Sequence, residues 1–140
     1  DPSKSRGLGD VYKRQDMKVM FAEASSFNQD IDKWDVSSVT DMSGMFASAI
    51  SFNQDLKNWN VGNVIDMRLM FSDALSFNGD IRMWDVSNVT IMQFMFSGAT
   101  SFNQDLSNWD VANVISCGTF WSGSSLSEVL IPIFTKCNPD

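Results

Sequence analysis

The sequence predicts an α/β solenoid with one short parallel strand and one short helix in each 25-residue coil. The first ground is repetition: the 25-residue stretch Met42–Asp66 recurs without insertion or deletion as Met17–Asp41, Met67–Ile91 and Met92–Ser116. A fixed period in this range marks a stacked array, in which each unit buries its apolar face only against its neighbours. The second ground is that the same side chains keep their places. Phe21, Phe46, Phe71 and Phe96 form one row, which Trp121 continues; Phe27, Phe52, Phe77 and Phe102 form another; Trp34, Trp59, Trp84 and Trp109 a third. The third ground is that two hydrophobic periods alternate inside each unit.

The helix is read from Ser38–Ala49. Its apolar residues Val39, Met42, Met45, Phe46 and Ala49 follow the spacing of one helix face. Ser38 stands at the N-cap, with Asp41 near the positive end of the helix; Asn63, Asn88 and Asn113 hold the cap in the other units. Such a helix has about three turns and is not stable alone in water.

The strand is read from Leu56-x-x-Trp59-x-Val61 and its counterpart Ile31-x-x-Trp34-x-Val36. Trp34 and Val36 are two apart, the strand period, and aromatic and β-branched residues suit a pleated backbone. One strand per coil, always entering in the same direction, stacks into a parallel sheet with strands about 4.8 Å apart.

These residues carry a resemblance. Ile31-x-x-Trp34-x-Val36 is similar to the core of a leucine-rich repeat. The whole unit, WDVSSVTDMSGMFASAISFNQDL, resembles the repeat of BspA-like bacterial surface proteins, across residues 16–121. The resemblance implies a right-handed, leucine-rich-repeat-like solenoid in a secreted or surface-anchored protein that acts in adhesion or binding. It brings no catalytic residues with it.

The repeat divides the chain. Residues 1–15 lie outside it, and Asp10–Gln15, DVYKRQ, reads as a translated sequencing adapter, so the arm is expected to be a sequencing or cloning scar on a fragment. The alternative is a natural arm. Residues 16–121 are the solenoid, four full units and the start of a fifth; residues 122–140 are an irregular C-terminal segment or cap.

Composition narrows the function. The net charge is −7, which disfavours nucleic acid and anionic membranes as partners. No apolar run reaches about 18 residues, so no membrane span is expected in this segment. Histidine, the commonest general base and metal ligand, is absent, and no cofactor is expected. Cys117 and Cys137 lie beyond the full units; a disulfide suits an oxidising compartment, and two free thiols are the other reading.

Four sets of residues are candidates for function. Asp30, Asp55, Asp80 and Asp105 recur in every coil; calcium between coils is the weaker reading, and acceptance of turn N–H groups the stronger. The adjacent Asn row, Asn28, Asn53, Asn78 and Asn103, is expected to bond the next coil. The Trp row is expected to be core rather than a sugar platform. Variation between units points instead to the solvent face of the sheet as the place for a ligand: Asp32, Lys57, Arg82 and Ser107; Lys33, Asn58, Met83 and Asn108; and Asp35, Asn60, Asp85 and Asp110.

The leading expectation is therefore an extracellular or cell-surface scaffold that meets a protein or polysaccharide and is not an enzyme. A structural spacer is the second reading. A polysaccharide-acting enzyme is the third, and it lacks a unique acid/base pair.

Overall fold

The computed structural model describes residues 16–140, so the reading of the first 15 residues as a scar lies outside it. Among the described residues there is no helix and no strand longer than a single bridge. The expected α/β solenoid, right-handed and leucine-rich-repeat-like with a helix and a strand per coil, is therefore corrected. What forms is a stack of layers built almost wholly from tight turns.

The correction has a clear origin in the stretch read as helix. Two positions in it have a left-handed backbone in layer after layer. One is occupied by Val19, Gly44, Leu69, Phe94 and Thr119, the other by Glu23, Ser48, Asp73, Gly98 and Gly123, with φ between 51° and 75°. A right-handed helix cannot pass through such residues. Met45, Ala47 and Ala49 donate N–H groups three residues back, to Met42, Gly44 and Phe46, as turns do, and not four back as helices do. A positive φ at the third residue of Met42–Met45 and of Phe46–Ala49 is the signature of a type II turn.

The intervening N–H groups link the layers. Met42, Gly44, Phe46 and Ser48 donate to the carbonyls of Asp66, Arg68, Met70 and Ser72. The same four-rung pattern joins Met17–Glu23 to Asp41–Ala47, Met67–Asp73 to Ile91–Ser97, and Met92–Gly98 to Ser116–Ser122. Parallel bridges run up this edge through Asp16, Asp41, Asp66, Ile91 and Ser116. The residues read as a helix thus carry the interlayer ladder. A short helix would satisfy its own N–H groups and leave the layers joined by side chains alone; the turn chain gives alternate N–H groups to the neighbour.

The stretch read as strand is bent by turns at residues 32–33 and 37–38, and at the same places in later units. Trp59 N–H returns to Leu56 O, and Val64 N–H to Val61 O. The layers are joined here by side chains. Trp59, Trp84 and Trp109 donate Nε1–H to the carbonyls of Ile31, Leu56 and Ile81 in the layer before, at 2.9, 2.9 and 3.2 Å. Asn28, Asn53 and Asn78 accept the N–H of the Asn in the next layer at 2.8–3.1 Å. The residues read as helix caps do related work, since Asn63, Asn88 and Asn113 donate Nδ2–H to Ser37 O, Gly62 O and Ser87 O. With no helix to cap, the short amide binds the neighbouring layer instead.

Core and columns follow directly. Met42, Met45, Phe46, Phe52, Leu56 and Val64, with their counterparts in the next two units, are fully buried. Successive Phe rings of the first row lie 5.5–5.6 Å apart, nearly parallel. The Trp rings lie 6.3–6.4 Å apart.

One glycine answers to a close approach. Gly79 stands where the other units have Gln, and a Cβ there would meet the Gln54 carbonyl and come within 2.7 Å of the Phe77 ring. At the far end the last residues fold back over the fifth layer. Asp140 O and Pro139 O accept Thr119 N–H and Phe120 N–H, Leu130 O accepts Leu106 N–H, and a disulfide joins Cys117 to Cys137.

Candidate interaction surfaces

The twelve candidates read as a sheet face do project outward, but from turns, because no sheet forms there. Asp35, Asn60, Asp85 and Asp110 each accept the N–H two residues on, from Ser37, Gly62, Ser87 and Ala112. They are turn formers, and their side chains are committed to the backbone. Asp32 accepts both N–H and Nδ2–H of Asn58 in the next layer, at 2.9 and 2.6 Å. Arg82 folds onto Asp80 through Nε and Nη2, at 3.0 and 3.1 Å, and Ser107 bonds Asp105. Lys33, Lys57, Met83 and Asn108 remain: their side chains are exposed and make no hydrogen bond among the described residues, and Met83 is 86% exposed.

The Asp row is used by the backbone. Asp30, Asp80 and Asp105 accept the N–H of Asp32, Arg82 and Ser107, and Asp55 accepts that of Asp80. Among the described residues no group of three or more His, Cys, Asp or Glu is placed to hold a metal ion. The Ser37, Ser87 and Ser107 hydroxyls hold the carboxyls of Asp35, Asp85 and Asp105 below the usual carboxylate range. The Arg82 side chain does the same to Asp80. These are ordinary turn carboxylates favoured in the charged form.

The Trp rings are 3–8% exposed, and the indoles of Trp59, Trp84 and Trp109 stack on one another. Their faces are closed to a sugar. Trp121, read as the next member of the first Phe row, is half-buried and bonds Asp140 Oδ1. Phe120 packs against Phe96 in its stead, ring centres 5.3 Å apart. Trp121, Leu126 and Asp140 line a shallow pocket of about 300 Å³ with Ser122, Gly123 and Ser124.

A second surface was hidden by the helix reading. Along the ladder edge, the left-handed backbone turns Val19, Leu69 and Phe94 outward, 60%, 40% and 42% exposed. They share one column with Gly44, where a Cβ would lie 3.1 Å from Val19 Cγ1, so the apolar row is interrupted at that layer and resumes with Leu69 and Phe94. Beside them run Lys18, Ser43, Arg68, Gln93 and Gly118, with Lys18 paired to Asp16 and Arg68 to Asp66. Ile65 and Ile115 are exposed on the same edge. Valine, Gly, Leu, Phe and Thr in turn at one repeat position was a signal as strong as any at the turn positions chosen above.

The geometry defines a tandem-repeat protein whose identical layers are joined by one recurring set of bonds. A family model described as "Mycoplasma protein of unknown function, DUF285" matches residues 15–130, and the chain belongs to that family. No curated protein and no solved structure matches it.

Proposed function

We propose that the chain is a non-catalytic scaffold that binds a protein partner through its ladder edge, at Lys18–Val19, Arg68–Leu69 and Gln93–Phe94. One observation carries the reading: this edge holds outward side chains as varied between units as any in the repeat, and a left-handed backbone keeps large apolar ones in solvent. Such conformations cost on the order of 1–3 kcal/mol for a non-glycine residue and concentrate at binding surfaces. Lys33, Lys57, Met83 and Asn108 supply a second, largely polar surface beside the Trp row. The buried Trp faces favour protein over glycan as the partner.

An extracellular or cell-surface setting is part of the proposal. It draws support from the disulfide, which suits an oxidising compartment, and from the resemblance to BspA-like repeats. The absence of catalysis draws support from the acidic rows, whose carboxylates bond turn N–H groups in each layer and offer no singular acid/base pair.

Arrays of surface proteins and glycans probed with the full chain test this. The expected result is a protein hit that weakens about tenfold or more, roughly 1.4 kcal/mol, in Leu69→Ser and Phe94→Ser, and little in Lys57→Ser. Glycan hits alone, or no hit at about micromolar concentration, would leave the spacer reading in its place.

A further inference from the structure

The ladder edge has two turns in each layer, and both send their central pair outward. In the first layer the turns close from Met20 N–H to Met17 O and from Ala24 N–H to Phe21 O; in the third, from Met70 to Met67 and from Ala74 to Phe71. Met17, Phe21, Met67 and Phe71 are buried. The pairs between them, Lys18–Val19 with Ala22–Glu23 and Arg68–Leu69 with Ser72–Asp73, reach solvent. Along the stack these pairs make four rows, and the rows are coupled. The two outermost read Lys18, Ser43, Arg68, Gln93, Gly118 and Glu23, Ser48, Asp73, Gly98, Gly123. The first and third layers carry a cation in one row and an anion in the other; the remaining layers carry neither. The two inner rows set large against small. Val19, Leu69 and Phe94 stand in one, and the other holds only Ala and Ser, at residues 22, 47, 72, 97 and 122. Among the described residues Glu23 and Asp73 have no ion-pair partner.

We infer that the partner of the ladder edge is a second copy of this chain, docked edge to edge about a two-fold axis that runs along the stack between the two turns. The inference rests on the reading of this edge as a protein-binding surface and names what it binds. Such an axis leaves height along the stack unchanged, so each layer meets its own copy, and it exchanges the two turns. Lys18 then faces Glu23 of the other copy, and Arg68 faces Asp73, each contact made twice. Leu69 and Phe94 fall on Ser72 and Ser97 of the other copy, large side chain on small. The charges also fix the direction. With the stacks antiparallel, Arg68 meets Arg68 and Asp73 meets Asp73, and like charges in contact oppose docking. The pairs Lys18–Asp16 and Arg68–Asp66 lie at the surface and compete only weakly. The two outermost rows are neutral in sum, on a chain of net charge −7. Four rows over five layers supply about twenty residues, the size of one side of a standard interface.

Sedimentation equilibrium of the full chain, from about 1 to about 200 µM, is expected to show a dimer with a Kd on the order of 10 µM. Arg68→Asp and Asp73→Arg chains, each alone, are expected to dimerise about tenfold or more weakly, since each sets like charges face to face. An equimolar mixture of the two is expected to recover the original affinity, because each chain then supplies the charge the other lacks. Circular dichroism checks that both variants are folded. Ser43→Cys and Ser48→Cys, which disturb the fold least, give a second measurement. Under mild oxidation a disulfide-linked dimer is expected in the mixture of these two chains, beyond the amount in either alone. A chain that stays monomeric at about 200 µM, charge variants that dimerise as tightly as the original, or mixtures no better than their components would overturn the second copy as partner. The edge reading survives that result if Leu69→Ser still weakens a hit on the protein array. If Leu69→Ser weakens neither a dimer nor an array hit, both readings fail together.

Discussion

Replacing Trp84 with alanine removes a ring that is 5% exposed, lies between Trp59 and Trp109 at 6.4 and 6.3 Å, and donates to Leu56 O at 2.9 Å. A Trp side chain buries about 150–250 Å², which at about 25 cal/mol per Å² amounts to roughly 4–6 kcal/mol. Truncations of this kind cost about 3–5 kcal/mol when measured, since neighbours relax only in part. The lost indole bond adds about 1 kcal/mol and leaves the Leu56 carbonyl short of a donor. A loss of about 4–5 kcal/mol is expected, with Trp84→Phe costing about 1–2 kcal/mol. Trp34→Ala should cost about 1–2 kcal/mol less than Trp84→Ala, because Trp34 is packed on Phe21 but stacks on no described indole, and its Nε1–H has no described acceptor. Urea unfolding followed by far-UV circular dichroism measures all three. A loss below about 1 kcal/mol for Trp84→Ala, or equal losses at Trp34 and Trp84, would refute the claim that the columns hold the layers together.

The left-handed positions separate two substitutions. Gly98→Ala, at φ 73° and with a Cβ driven into Asp73, should lower stability by about 1–2 kcal/mol, while Leu69→Gly should be neutral to within about 1 kcal/mol; thermal melts check this, and a helix would reverse their order, favouring Gly98→Ala and penalising Leu69→Gly. Deleting the whole unit Met42–Asp66 should keep the circular dichroism spectrum per residue, whereas deleting about half of it should abolish the cooperative melt, because only the former preserves the columns. On acidification, stability should fall below about pH 4. Asp35, Asp80, Asp85 and Asp105 have depressed folded-state values, so their contribution is complete above the unfolded carboxylate value and is lost as pH drops through the folded one. A melting temperature that is flat from about pH 6 to 3 would count against that account.

The sequence showed which residues are inside far better than how the backbone runs. Met42, Phe46, Phe52 and Trp59 declare themselves through the period alone, since a residue repeated in each layer and apolar throughout has nowhere to go but the core. The helix was misread because overlapping turns closed three residues apart return apolar side chains to one side at nearly the spacing of a helix face. Val39, Met42, Met45, Phe46 and Ala49 satisfy both. What separates the two is backbone chirality, and the clue lay in Gly44, Gly98 and Gly123 at positions otherwise held by Leu, Phe, Ser and Asp. The strand was misread because Trp34 and Val36 are locally extended, but the turns on either side leave no room for a ladder. The exposed apolar edge went unseen for the same reason: a side chain placed on a helix flank is one more surface residue, and only the left-handed φ turns both Leu69 and Phe94 outward on one edge.

Because every joint is the same 25-residue step, misaligned recombination between copies of the repeat yields another chain with intact packing. Duplicating a unit adds one more layer and one more varied pair on the ladder edge, without disturbing those already present. Length thus becomes a quantity that heredity can change in whole increments at little structural risk, while point substitution alters the exposed residues one by one.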